Sequence, residues 1–494
     1  MKHRRLLSVL MSFVMASAVS AGCVTANADY DHPEICYAEP DMGDVNGDYM
    51  FNVADVVWFN NYLLGKNDNI LYECADINHD GNINVFDLIL LRRMFVERAP
   101  LAQLYPVENL CDGIKSGKIQ GAEIDEEFAL AQTGFGLDML RRTDCEENTL
   151  ISPYSIMEAL AMTANGAKGE TLSEMEKVMG GISIDRLNEY LYTQRISQPD
   201  TSECKLLTAN SIWARNDESR IKVNKNFLQT DMDYYGAEFY VADFNDQKTV
   251  DAVNSWVSRH TDKMIEKLLD NIDGNTVMEL INAVTFDAKW ESRYYEHNVE
   301  HDVDFTAADG SRQKADMLCS LESYYLEDDG AKGLMKYYDG RRYAFAAIMP
   351  DEGVSLNDYI KGLTAEKLNS ILSNAENITI NSKIPKFSYD YSVSLSENIL
   401  PDMGMVTPFI DGVADFSGLN DADDQLHISE VFHKTFIKLD EEGTKAAAVT
   451  EVALADNCAP VIEKEVILDR PFLYCIVDTE GNIPVFIGTL TSLD

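Results

Sequence analysis

Ten oxygen-bearing side chains near the N-terminus repeat at a fixed offset. Asp44, Asn46, Asp48, Asn52 and Asp55 hold places one, three, five, nine and twelve of a loop, and Asp76, Asn78, Asp80, Asn84 and Asp87 hold the same places 32 residues on. That spacing suits a hard cation. Ca²⁺ takes six to eight oxygens, with a backbone carbonyl supplied from the seventh place. Two ions are therefore expected, one per loop. The sixth place is Gly81 in the second loop but Tyr49 in the first. A left-handed turn there costs a non-glycine residue roughly 1 kcal/mol, which predicts weaker binding at the first site. Each loop is followed by a one-sided apolar stripe, Val56, Phe59 and Leu63 and then Leu88, Leu91 and Phe95. These stripes predict two short amphipathic helices that hold the loops.

A second stretch is informative for its small size. Residues 440–454 start as an acidic turn around Gly443 and become a run of small residues with a period of two. Thr444, Ala446, Ala448 and Thr450 would share one face of a strand, and Lys445, Ala447, Val449 and Glu451 the other. The first face could slide between other strands without a clash, and no proline removes an N–H from a ladder. Such a segment can be an exposed loop or a central strand. An Ala-rich linker or short helix is the bland alternative. The flanks favour sheet: Leu426–Leu439 alternates, and Arg470–Asp478 and Ile483–Leu490 read as buried strands.

The rest of the chain bounds the answer. With 494 residues and a net charge of −42, it has room for two or three domains and a surface that repels phosphate backbones, so nucleic acid is not an expected partner. Residues 1–28 read as a signal peptide: Lys2-His-Arg-Arg, an apolar stretch, then Ala26-Asn-Ala28. Cleavage there removes Lys2, Arg4 and Arg5 and no acid, taking the charge from −42 to about −45. A lipoprotein cut before Cys23 is the alternative, with Ser20 where a branched apolar residue is wanted. The apolar run is too short for a membrane span, so a secreted, extracellular protein is expected. Nine cysteines show no dense framework. No nucleophile elbow, defensible triad spacing or zinc signature suggests an enzyme.

Two families resemble these patterns. Residues 41–97, with Asp rather than Glu at the twelfth place and no clear helix before the first loop, resemble a dockerin. This implies a small all-α module with two calcium loops that binds a cohesin on a cellulosome scaffold. Val53, Ala54, Val85 and Phe86 would face the cohesin, with Arg92 and Arg93 nearby. Residues 98–120, with Pro100, Pro106, Gly113 and Gly117, read as a linker with some local structure. Residues 121–494 resemble a serpin through stations in the family's order. They are Leu150–Ile156, Ala209–Trp213, Ile281–Trp290, Ile384–Phe387, Met403–Met405, Ala414–Gly418, the hinge and Pro471-Phe472.

The serpin resemblance implies an α+β fold of three β-sheets, about eight or nine helices and an exposed reactive-centre loop. It implies suicide inhibition of a target serine protease, with a cysteine protease as the alternative target. Cutting of the loop would let Thr444 onward insert into the main sheet. Glu441, Gly443, Thr444, Ala446, Ala447, Ala448 and Thr450 match the hinge. Ser152, Ser155, Asn282 and His433 match a polar cluster where strands part, the shutter, and Trp290 matches the sheet top. Asp287 departs from the usual Lys. The family's spacing puts the attacked bond at Asn457–Cys458, a shorter register puts it at Asp456–Asn457, and cuts at Leu454 or Ala455 suit other proteases. A non-inhibitory binding protein of the same fold is the alternative; the small inward face of the hinge favours inhibition.

Overall fold

A computed structural model describes residues 42–493 apart from 49, 68, 99, 144–146, 218, 274–275, 423–425 and 445–460. The signal peptide, Tyr49, the hinge beyond Thr444 and every candidate scissile bond lie outside the described residues. The chain divides into two compact units, one ending at Arg98 and one starting at Ala99.

The small unit is helical. Val53–Leu63 and Val85–Arg98 are its main helices, with a single turn at Tyr72–Ala75 between them. Val45, Phe59, Ala75, Leu88 and Leu91 form its buried core, with Val56 and Leu63 packed against it. The two apolar stripes thus face each other, and each acidic loop is carried at the start of a helix.

In the large unit, Leu101–Leu104 is helical and Val107–Asn109 pairs antiparallel with Glu238–Ala242 as the edge of the main sheet. Val107 and Cys111 are buried. The linker expectation for 98–120 therefore does not hold for this stretch: its apolar residues find a sheet edge to cover. Across the main sheet the order is Val107–Asn109, Glu238–Ala242, Cys204–Arg215, Met278–Lys289, Gly443–Thr444, Glu430–Leu439 and Phe387–Ser394. The remaining sheets run together into one nine-stranded network. The 17-residue strand Arg312–Asp328 joins them, pairing with Glu376–Pro385 along most of its length and with Ala331–Tyr337 at its end.

Alternation divides the faces of the main sheet. Leu280, Val284, Phe286 and Ala288 point into the large core. Ile281 and Ala283 point to the other side, where Val250, Val253, Trp256 and Val257 of helix Gln247–His260 cover them. Behind the sheet, all twelve residues of helix Pro153–Ala164 are buried, as expected of a helix apolar on every side. No described helix is long and apolar enough to cross a membrane.

Candidate functional site

The two strands at the centre of the main sheet run parallel and pair from Glu279/Glu430 to Thr285/Phe436. Above that point they part, and Gly443–Thr444 enters the gap. Gly443 pairs with Lys289, Thr444 pairs with Ala288, and Thr444 also pairs with Leu439. The sequence places the hinge above the sheet until cut; the structure puts its first two residues inside. Gly443 fits there because it has no side chain. Its φ is +154°, and a Cβ would stand 2.0 Å from the Ala288 carbonyl oxygen, a distance backbone atoms cannot yield.

Aromatic residues hold this entry point. Thr444 is 1% exposed, and its hydroxyl bonds that of Tyr338 at 2.7 Å. The Tyr338 ring stacks on Trp290 at 4.5 Å between centroids. Trp290 Nε1 donates to the Asp440 carbonyl at 3.0 Å. The backbone N–H of Trp290 donates to Glu442 O and that of Tyr294 to Glu441 O, both at 2.9 Å. Lys386 forms an ion pair with Glu441 at 2.7 Å. Beneath the rings the buried Lys336 pairs with the partly buried Glu322 at 2.7 Å, and its ammonium faces Trp290 and Tyr294 at 5.5 and 4.6 Å, a cation–π arrangement. Trp290 and Glu441 were legible as site residues. Tyr338, Tyr294 and Lys386 were not, although Lys386 lies within the Ile384–Phe387 stretch; partners from distant strands leave no local spacing to read.

Lower in the seam the expected polar residues converge. Asn282 and His433 are direct neighbours in the parallel ladder, and His433 Nδ1 bonds Asn282 Oδ1. The Ser152 N–H donates to His433 Nε2 at 3.1 Å. An Nε2 that accepts must leave the ring proton on Nδ1, so the imidazole is neutral. Burial alone pushes its pKa down to about 3. Asn282 Nδ2 donates to Ser155 O at 2.8 Å and Ser155 Oγ at 2.6 Å, and Ser152 Oγ donates to Val485 O at 2.7 Å. Ser152 also caps helix Pro153–Ala164 through the Ser155 N–H. Two further members were not anticipated: Asn210, which accepts from Asn282 and donates to Glu158 at 3.0 Å, and Thr435, which donates to Leu150 O at 2.8 Å. Glu158 is fully buried, and burial outweighs its hydrogen bonds to hold its pKa at about 7.

The calcium loops repeat down to single bonds. Asp55 Oδ1 accepts from the N–H groups of Val45 and Asn46 at 2.9 and 3.3 Å, and Oδ2 from Asn52 at 2.8 Å. Asp87 accepts from Ile77, Asn78 and Asn84 at 3.0, 3.3 and 2.9 Å. Asp44, Asp55 and Asp87 are fully buried and Asp76 nearly so. Burial raises the Asp55 pKa, backbone hydrogen bonds oppose this, and the Asp44 charge raises it further. Buried carboxylates that repel are the donor set a cation relieves, so the residues fit Ca²⁺. Among the described residues no three His, Cys, Asp or Glu side chains converge as a ready metal cluster; Asn and backbone oxygens must complete each shell. The fourth place is left-handed in both loops, Gly47 at φ +76° and His79 at +57°, and Gly81 is at +80°.

Comparison with known proteins agrees with both units. The dockerin type I domain model matches residues 42–96, and the chain carries that module. The serpin (serine protease inhibitor) model matches residues 130–493. An uncharacterized serpin-like protein of Thermococcus kodakarensis is 32% identical, over 69% of this chain and 80% of its own. The crystal structure of the thermophilic serpin tengpin in the native state is 45% identical, covers 78% of this chain and all of its own, and has a TM-score of 0.75. Its latent state is 42% identical over 76% of this chain and all of its own, with a TM-score of 0.67. From its fold, its seam and these relatives, the chain belongs to the serpin family.

Proposed function

We propose that this protein is a secreted suicide inhibitor of serine proteases, held on a cellulosome scaffold by its dockerin. One observation carries the inhibitory reading: the hinge already occupies the top of a seam whose lower part is still zipped. Insertion then extends an interface that exists. If the register of Gly443 with Lys289 and Thr444 with Ala288 continues downward, Thr450 comes opposite Asn282. Its hydroxyl would enter as the Asn282–His433 bond parts, and buried polar groups that exchange partners avoid the cost of being left alone. Each ladder bond contributes about 1 kcal/mol net, so a dozen makes insertion effectively irreversible.

The bond attacked is proposed as Asn457–Cys458, with Asp456–Asn457 as the shorter register. For the dockerin, two Ca²⁺ ions are proposed, and an exposed face presented to a cohesin. Val53, Val85 and Phe86 are 56%, 54% and 66% exposed, and a large apolar surface left in water suits docking. The first calcium site is proposed as the weaker. The difference is small, because a left-handed His79 costs the second loop roughly 1 kcal/mol as well.

The experiment is to nick the loop with a panel of elastase-, subtilisin- and glutamyl-type proteases. Denaturing gels should show a stable complex, mass spectrometry should read the cut bond, and the nicked protein should melt well above the intact one. No complex and an unchanged melting point would return the chain to a non-inhibitory role.

A further inference from the structure

The seam that must open is closed at its lower end by two acids. Glu279 and Glu430 are direct neighbours in the parallel ladder and lie on the same side of the sheet, with their Cβ atoms roughly 5 Å apart. Glu279 is 2% exposed, and its Oε2 has no hydrogen-bond partner. On its other flank the ladder places Trp213, whose indole is committed to Ser211. Glu279 is shut away from water while Glu430 is half-buried, so ionising both at once is costly, and among the described residues no cation is aimed at them. Arg215 donates to the Thr276 carbonyl and lies over Phe244. Arg259, on the covering helix, faces Tyr105, Tyr240 and Glu238. Lys267 pairs with Asp270, and Lys434 bonds the Lys267 carbonyl and approaches Asp390. A further charge acting on Glu430 is another acid, Glu397, and the Ser394 hydroxyl supplies its hydrogen bond.

We propose that Glu279 and Glu430 share a proton as a clasp across the seam, and that insertion of the cut loop, by parting them, weakens their hold on it. The inference rests on the insertion mechanism proposed above. A strand placed between the two would take them from one interstrand spacing to two, about 4.8 to about 9.6 Å, so their mutual repulsion in the ionised state falls. Burial of Glu279 persists and only the repulsion is relieved, so the carboxyl gives up a fraction of its proton to solvent. Burial, and then the Glu430 charge, lift the Glu279 pKa to about 8, which places the event in the range where an extracellular inhibitor works. The clasp therefore favours the zipped state at mildly acid pH and loosens it as pH rises.

Full-length protein and its E279Q and E430Q variants distinguish this from packing alone, since glutamine keeps the shape of the protonated acid. For the uncut proteins, melting temperature is followed from pH 5 to 9. Wild type is expected to lose stability relative to E279Q as pH rises, with E430Q showing a smaller loss because the neighbouring charge is gone. Parallel curves for wild type and E279Q, or an E430Q curve identical to wild type, would overturn the clasp. After nicking, proton release is measured with an indicator dye in weak buffer at pH 7.5. Wild type is expected to release a substantial fraction of a proton more than E279Q, a difference that vanishes near pH 5.5. Equal release with a normal rise in melting temperature on nicking would overturn the coupling and leave insertion standing. Diverging uncut curves with no such rise would do the reverse.

Discussion

Replacing Gly443 with alanine tests whether the hinge is held where the structure puts it. The new Cβ would meet Ala288 O at 2.0 Å, Lys289 Cα at 2.7 Å and Ala288 C at 2.9 Å. Those atoms belong to the middle of a seven-stranded sheet, so the hinge must give way by more than 1 Å rather than the strand. Retreat breaks the Thr444–Tyr338 bond and the Asp440 N–H bond to the Gly443 carbonyl. It also leaves the hydroxyl of a fully buried Tyr338 without its partner. Counting the Thr444–Tyr338 loss once, as the orphaned hydroxyl at about 1–3 kcal/mol, and the backbone bond at about 1 kcal/mol, the loss is about 2–4 kcal/mol. In a domain of this size that lowers the melting point of the uncut protein by about 2–5 °C. The functional effect should be larger. A hinge that starts outside the sheet inserts later, so a protease hydrolyses the ester before it is trapped, and Gly443→Ala should shift gel bands from stable complex toward cut, released inhibitor. Calorimetry and the ratio of complex to cleaved product read the two effects. An unchanged melting point together with an unchanged ratio would refute the account of a preinserted hinge.

Tyr338→Phe keeps the stack on Trp290 and removes only the hydroxyl facing Thr444; it should cost about 1–2 kcal/mol, read as a small fall in melting temperature that Thr444→Val does not deepen. His433 gives a pH dependence. Its folded pKa, about 3, lies below the unfolded value near 6.5, so its contribution is complete above pH 6.5 and is lost as pH falls toward 3, about 2 kcal/mol between pH 7 and 5. Glu158, whose folded pKa is about 7, has the opposite sign over that window, since a raised carboxyl pKa destabilises as pH rises. The wild-type curve therefore hides the effect, and the difference between wild type and His433→Gln must carry it; a difference independent of pH would contradict the neutral buried imidazole. For the small unit, a chelator should abolish cohesin binding and far-UV helicity of the module together, while the large unit keeps its melting transition. Asp87→Ala should weaken calcium binding more than about tenfold, as judged by calcium titration, because it removes a ligand and strands three loop N–H groups.

Periodicity and spacing by themselves determine much of this protein. The calcium loops were legible because all their ligands lie within twelve residues of one another, and local turn geometry converts that spacing directly into a site. The duplication made the signal specific: Asp55 and Asp87 ended with the same set of donors. The small-residue run after Gly443 reads as a segment that could form a strand because steric bulk is a property of residues, whatever surrounds them; beyond Thr444 it lies outside the described residues. The convergence of Ser152, Asn282 and His433 was legible only through resemblance, since they are separated by more than a hundred residues and nothing local links them.

What the tertiary structure alone decided was partnership. It put Thr444 under Tyr338, Asn210 between Asn282 and Glu158, and Glu279 beside Glu430, each pair joined by strand register and not by distance along the chain. It also moved 101–111 from a supposed linker to a sheet edge, because proline and glycine mark where a chain turns but not which surface awaits it. Register sets which side chains meet, and register depends on how the whole sheet closes. Local sequence fixes conformational preference and bulk; the contacts across the seam exist only once distant strands are aligned.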